Sequence, residues 1–307
     1  MWSGLPLKPV YAVPVTRGHG MCISRKHGMV VVAEKPNAFT PGSRLCVYSL
    51  ADGSFVRRVC GSGDGRGQLR FDRGGLCTSP CEDNVLVADC YNDRVQEVRI
   101  VDGSWVRFIG VGVLMWPQCV ACNSDVVVVS ENCDRVSVLS WVDGGVRAQF
   151  GRRGSGPGQL ECPLGIRLLS NGSELVVVDC ANRRLCVFTL SGEFVTAVGG
   201  SGQGLRFPCD VLECVPDGGF VVADSGSHNL VKLSRDGATV ACFGAGTGSG
   251  TFVRPETLAV LPDNRLVVHE RGGARLQVFQ DLQLRVAWIA ACVTVTRCFP
   301  PDGYAGS

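Results

Sequence analysis

The chain has 307 residues, 45% of them apolar and 19% charged. That supplies a sizeable core and excludes a disordered, strongly charged chain. The formal net charge of +2 excludes an overall field that would draw in nucleic acid or an anionic membrane unspecifically.

No apolar run reaches the roughly 18 residues of a membrane-spanning helix. The opening "MWSGLPLKPVYAVPV" lacks the charged and then apolar regions of a secretory signal. A cytoplasmic or otherwise intracellular, monomeric protein with no membrane association is therefore expected. The 17 cysteines then read as reduced thiols acting as small buried hydrophobes, with Cys46, Cys60, Cys186 and Cys242 at inward-looking strand positions. The basic residues are chosen unevenly, 26 Arg against 4 Lys.

In chain order, "VYAVPV" (10 to 15) is a spare strand with no turn partner of its own. A first unit then runs to Glu34, carries the insert "KPNAFTPGS", resumes at Arg44 and turns at "ADGS" (51 to 54). From there one pattern recurs. A hydrophobic run ends on an acid, polar residues break it, and a basic or amide residue restarts it. The acids are Glu34, Asp89, Glu131, Asp179, Asp224 and Glu270, spaced 55, 42, 48, 45 and 46 residues apart. Arg94, Arg184, Asn229 and Arg275 follow theirs by five; Arg135 follows Glu131 by four.

Each unit also holds tight-turn signals such as "VDGS" (101 to 104), "SNGS" (170 to 173) and "PDGG" (216 to 219), whose Asp-Gly and Asn-Gly pairs supply the positive φ of hairpins. The segments between turns are short, and none shows a helical period. Unit four reads as "GIRLLS", "ELVVVD", "RLCVFTL" and "FVTAVG". Units of roughly 45 residues with four strands each predict β-propeller blades. Six of them, at about 19–61, 74–110, 118–151, 164–200, 209–244 and 256–290, make one all-β domain spanning 1–307. The segments "LRVAWIA" and "CVTVTR" near the C-terminus and "VYAVPV" near the N-terminus all compete to close the ring, and the residues do not choose among them.

The stretch "PCDVLECVPDGGFVVADSGSHNLVKLSRDG" (208 to 237) resembles an NHL repeat, with the signature standing as Ser227-His228-Asn229-Leu230. "NVLVADCYNDRVQEV" and "ELVVVDCANRRLCVF" are similar to the same pattern at the Asp and Arg, as are the connectors "GSGDGRGQLRFDRGG" and "GRRGSGPGQLECPLG". The resemblance runs over residues 19 to 290 and is most specific in units two, four and five. It is looser in unit three, in unit one with its insert, and in unit six, where "VVHERGG" replaces the Asp strand. It implies a six-bladed propeller of four-stranded antiparallel blades. It also implies three kinds of activity: protein recognition, single-stranded RNA binding on a basic face, and, by analogy with a lyase relative, zinc chemistry in the channel.

The recurring acid has a structural reading. An Asp at a strand end accepts N–H bonds from the following turn and holds the Arg five residues on, so Asp89, Arg94, Asp179, Arg184 and Asp224 are assigned to the scaffold. The glycine-rich connectors lack the following helix that a phosphate cradle needs. Channel-lining positions by alignment include His19, Gln118, Cys209 and Glu256. A metal-dependent lyase set of His19, Cys209 and Glu256, or a lactonase-like carboxylate and amide set, is the enzymatic alternative. No cofactor is assigned and no catalytic residue is named.

RNA binding would use loop arginines Arg66, Arg70, Arg73, Arg152 and Arg153, with Phe71, Tyr91 and Trp116 as stacking groups. The principal expectation is a non-catalytic scaffold that binds protein partners through loops departing from the repeat. Two segments depart from it: the insert "EKPNAFTPGSR" (34 to 44) and "GVGVLMWPQC" (110 to 119), in which the apolar cluster Leu114, Met115 and Trp116 either packs under its own blade or anchors a partner. The one CxxC, Cys119 to Cys122, spans an alternating strand, which points its two thiols to opposite faces.

Overall fold

The computed structural model describes residues 9–15, 18–35, 42–200, 204–214, 218–244, 250–261 and 263–279. Among them stand six four-stranded antiparallel sheets, the blades of a β-propeller. Among the described residues the one helical segment is a single 3-10 turn at Cys90–Asn92. The inner strands are Gly18–Ser24, Leu76–Thr78, Pro117–Cys122, Pro163–Leu168, Pro208–Glu213 and Pro255–Val260.

In blades one to five the four strands follow one another in sequence. Blade six instead takes its outermost strand from the other end of the chain. Pro9–Pro14 pairs antiparallel with Arg275–Phe279, so the N-terminal candidate closes the ring. The segments 284–290 and 292–297 that competed with it lie outside the described residues, as do residues 36–41 of the insert in unit one.

The core lies between blades. One apolar cluster joins blades one and two through Val31, Leu45, Leu76 and Val87. Others join two to three, three to four, four to five and five to six. The sixth packs Val13, Val267 and Val278 of the closing blade on Met21, Val30 and Val32 of blade one. Strands that read as near-continuous Val and Leu runs are explained by this packing, because both faces of each sheet are covered. Cys46 and Cys186 are fully buried here, while Cys60 and Cys242 are half-buried.

Around the axis the inner strands approach closely where they carry glycine. A Cβ on Gly75 would lie 2.5 Å from the Cα of Cys119, and one on Gly165 would lie 2.9 Å from the Cα of Asp210. The Gly75 N–H instead donates to the Gln118 carbonyl at 3.1 Å. Glycine at these points is what keeps the channel narrow.

Candidate functional site

The recurring acids and arginines form a clasp, repeated blade by blade. The Asp89 carboxylate accepts from the N–H of Arg70 at 2.6 Å, and from Arg94 Nε, Asn92 Nδ2 and Gln96 Nε2 at 2.8 to 2.9 Å. Arg94 reaches on to the carbonyls of Asp64 and Gly65. Asp179 likewise takes the Glu161 N–H at 2.7 Å and Arg184 Nε at 2.8 Å, while Arg184 donates to the carbonyls of Ser155, Gly156 and Gln159. Asp224 takes the N–H groups of Arg206 and Phe207. The backbone N–H donors therefore come from the crossover that leads into the blade, while the turn that follows the acid contributes side chains, Asn92 and Asn182. The reason is steric: the crossover returns over the end of its own second strand, where the carboxylate points.

A second clamp comes from the preceding blade. Asp93 Oδ1 accepts the Trp116 N–H at 2.7 Å, Asp134 Oδ1 the Cys162 N–H at 2.8 Å, and His228 Nδ1 the Arg254 N–H at 3.1 Å. Asp93, Asp134 and His228 are themselves left-handed turn residues. The histidine of the repeat signature thus holds a loop.

Because every acid ends its strand on the same side, the crossovers and the turns after the acids share one face of the disc. Two residues before the proline of an inner strand, the clasps present Met115, Glu161, Arg206 and Val253; next to them stand Trp116, Cys162, Phe207 and Arg254. Trp116, Cys162 and Arg254 hold φ of 50, 54 and 55°, a region that L residues populate sparsely, so the double clamp fixes an unfavourable backbone. Met115, Trp116, Phe207 and Val253 are 41 to 51% exposed. Tyr91 joins them on the same face and is also exposed.

The predicted apolar cluster divides: Met115 and Trp116 face solvent, and Leu114 is buried between blades two and three. Phe71, expected as a stacking group, is buried between blades one and two. Arg70, Arg152 and Arg153 are exposed on this face, with Arg153 paired to Glu161 at 3.1 Å. Arg66 stacks on the Trp105 ring at 4.3 Å. Arg73 turns away from the rim into the channel, where its guanidinium lies 5.7 Å from the Phe207 ring and 3.8 Å from Glu256.

The channel gathers the four aligned positions His19, Gln118, Cys209 and Glu256 around one cavity of about 40 Å³, bordered also by Arg73 and Arg167. This holds a few waters at most. His19 Nδ1 and Glu256 Oε2 stand 3.5 Å apart, close enough to attract but too poorly aligned to satisfy either buried atom. Burial opposes charge on Glu256, yet His19, Arg73 and Arg271 together hold its carboxyl below the usual range. Burial pushes the Cys209 thiol up to about 12, against the pull of Arg73.

Zinc needs a deprotonated thiolate and unoccupied donor atoms. The two arginines on Glu256 compete with a cation for its carboxylate, and among the described residues no three His, Cys, Asp or Glu side chains are placed to hold a metal ion.

Further along the axis Arg167 bonds Asp210 Oδ2 at 2.7 Å and the Leu258 carbonyl at 3.2 Å. It borders a second cavity of about 240 Å³, lined by Met21, Cys22, Cys77, Leu168, Leu212 and Leu258 among others. The pairing of Arg167 with Asp210 escaped the sequence reading, because their side chains meet only once blades four and five are packed. The exposed Phe207 and Val253 were also missed, although the recurring proline in "MWP", "ECP", "RFP" and "VRP" marks the positions before it.

Fold and face together define a six-bladed β-propeller whose clamped crossovers ring the mouth of a narrow polar channel. A 58-residue stretch is 47% identical to RING finger protein nhl-1 of Caenorhabditis elegans, covering 19% of this chain and 6% of that protein. No protein-family profile matches the chain. Among the described residues no helix is long and apolar enough to cross a membrane.

Proposed function

We propose that the chain is an NHL-type propeller acting as a non-catalytic interaction scaffold, which binds a protein partner on the crossover face. The observation that carries this reading is the set of exposed apolar side chains, Met115, Trp116, Phe207 and Val253, on backbone held by carboxylates of their own blades or, at Trp116, of the preceding one. Aromatic and Met side chains on pre-organised backbone bind with little loss of conformational freedom. The resemblance to a RING finger protein fits a platform that brings one protein to another, with any transfer chemistry supplied elsewhere.

Single-stranded RNA is the second reading. It is favoured by Arg70, Arg152, Arg153 and Arg206 sharing that face with Tyr91 and Trp116, since phosphate contacts and stacking rings are what such binding uses.

Affinity capture from native lysate tests both readings, comparing wild type with a Trp116→Ala/Phe207→Ala variant and repeating each with ribonuclease. Protein partners that survive ribonuclease and fall at least tenfold in the variant support the scaffold. Partners equally captured by the variant refute this face. Partners lost with ribonuclease, and lost again in Arg152→Ala/Arg153→Ala, move the assignment to RNA.

A further inference from the structure

The inner strands of blades two and three bring two thiols into contact. Cys77 Sγ lies 3.5 Å from Cys122 Sγ, across 45 residues of sequence. Each comes from a different blade, and both belong to the apolar cluster at that junction. Cys119, the other member of the CxxC, packs instead toward blade four, so Cys122 has its sulfur neighbour in the next blade and not in its own motif. Cys122 Sγ also donates to the Thr78 carbonyl at 3.3 Å, which holds it beside the strand that carries Cys77. Cys77 borders the 240 Å³ cavity further along the axis, a route wide enough for a small oxidant.

We propose that Cys77 and Cys122 are an oxidative modification site, converted by hydrogen peroxide to a disulfide that joins the inner strands of blades two and three. Two S–H bonds are lost and one S–S bond forms. Two electrons and two protons pass to the O–O bond of the peroxide, which leaves as two waters. The sulfurs must close from 3.5 Å to about 2.05 Å. The second step, attack of one thiol on its oxidised neighbour, occurs between groups already in contact and is fast for that reason.

Reactivity is set by thiolate content. Burial, reinforced by Cys122, pushes the Cys77 thiol well above its ordinary value. Oxidation is therefore slow at neutral pH and accelerates as pH rises. The product closes a 45-residue loop and constrains the unfolded chain accordingly.

The test treats the folded protein with hydrogen peroxide at pH 7 and pH 9, blocks remaining thiols, digests without reductant and identifies linked peptides by mass spectrometry. A urea-unfolded sample treated in the same way is the reference. The expected result is one dominant linkage, Cys77 to Cys122, formed at least tenfold faster at pH 9 and enriched at least tenfold over the unfolded reference. It is accompanied by a rise in Tm of about 5 °C that dithiothreitol reverses. In Cys122→Ser the linkage vanishes and the Tm no longer responds to peroxide.

Oxidation that leaves both thiols available to the blocking reagent overturns the proposal. So does preferential linkage of Cys77 to Cys22 or another cysteine, or a linkage no more frequent than in the unfolded chain. The linkage is read on the wild-type protein, so the outcome stands even if a variant folds poorly.

Discussion

At the scale of single residues, the fully buried acids are paired with an arginine or, like Asp224, held by backbone N–H groups, whereas one titratable ring among the described residues is buried with no partner. Asp179 is fully buried and holds both Arg184 and a backbone N–H. Asp179→Ala removes the shared partner and strands a guanidinium that is only 12% exposed. The expected loss is about 3 to 5 kcal/mol, read from urea denaturation midpoints; a loss below about 1 kcal/mol would contradict the clasp. The exception is His269, fully buried with neither ring nitrogen bonded. Burial lowers its pKa from 6.5 to about 4. Between those values the unfolded chain takes up the proton and the folded chain does not, so stability rises with pH across this window and falls as pH drops through it. The depression corresponds to about 3 kcal/mol lost between pH 7 and pH 4. His269→Leu should be as stable as wild type at pH 7, since an unpartnered polar ring gives way to an apolar group. Its stability should then decline less steeply in acid. Parallel curves for the two proteins between pH 7 and pH 4.5 would show that His269 does not titrate as buried.

At the scale of the element, the blade was legible because its signals are local. Turn pairs such as Asp102-Gly103 and the alternating runs around Asp89 and Asp179 depend on residues near in sequence, and they place each strand within a few positions. The inner-strand starts were legible for the same reason, and His19, Gln118, Cys209 and Glu256, aligned at those starts, border one cavity. What depended on packing between blades was not legible. Arg73 read as a rim residue because its neighbours are polar, but Glu256 from blade six draws it into the channel. Phe71 read as exposed because it sits in a glycine-rich loop, yet that loop folds back over the junction of blades one and two. The crossover itself yields a prediction. Met115 and Trp116 carry exposed side chains on a backbone fixed by Glu131 and Asp93. Trp116→Ala should change stability by no more than about 0.5 kcal/mol, as surface substitutions do, whereas Glu131→Ala, which frees the Met115 N–H and Arg135, should cost several times more. Equal costs in thermal unfolding would mean that the Trp116 ring, and not the clamp, supports the loop.

At the scale of the whole molecule, six similar blades are worth little until the ring is closed, because each sheet depends on both neighbours for its burial. Closure here is carried by Pro9–Pro14 against Arg275–Phe279 and by the cluster in which Val13 and Val15 meet Met21, Val30 and Leu276. The junction of blades six and one is thus assembled from segments at opposite ends of the described chain. That makes it the most non-local contact among the described residues, and the one of these whose formation costs the most chain entropy. Deleting residues 9–15 would leave Arg275–Phe279 as an unpaired edge, open to pairing with other chains, and would uncover apolar side chains of two blades. Such a variant should unfold at lower temperature, in a broadened transition, and should elute as oligomers. A compensating change at another junction tests whether closure is special. Val128→Ala, in the middle of blade three and fully buried, should lower stability by about 2 kcal/mol while leaving one sharp transition and a single monodisperse species. If the strand deletion behaves like that point substitution in calorimetry and size-exclusion chromatography, the ring holds without its N-terminal strand and the cooperativity of the six blades has another source.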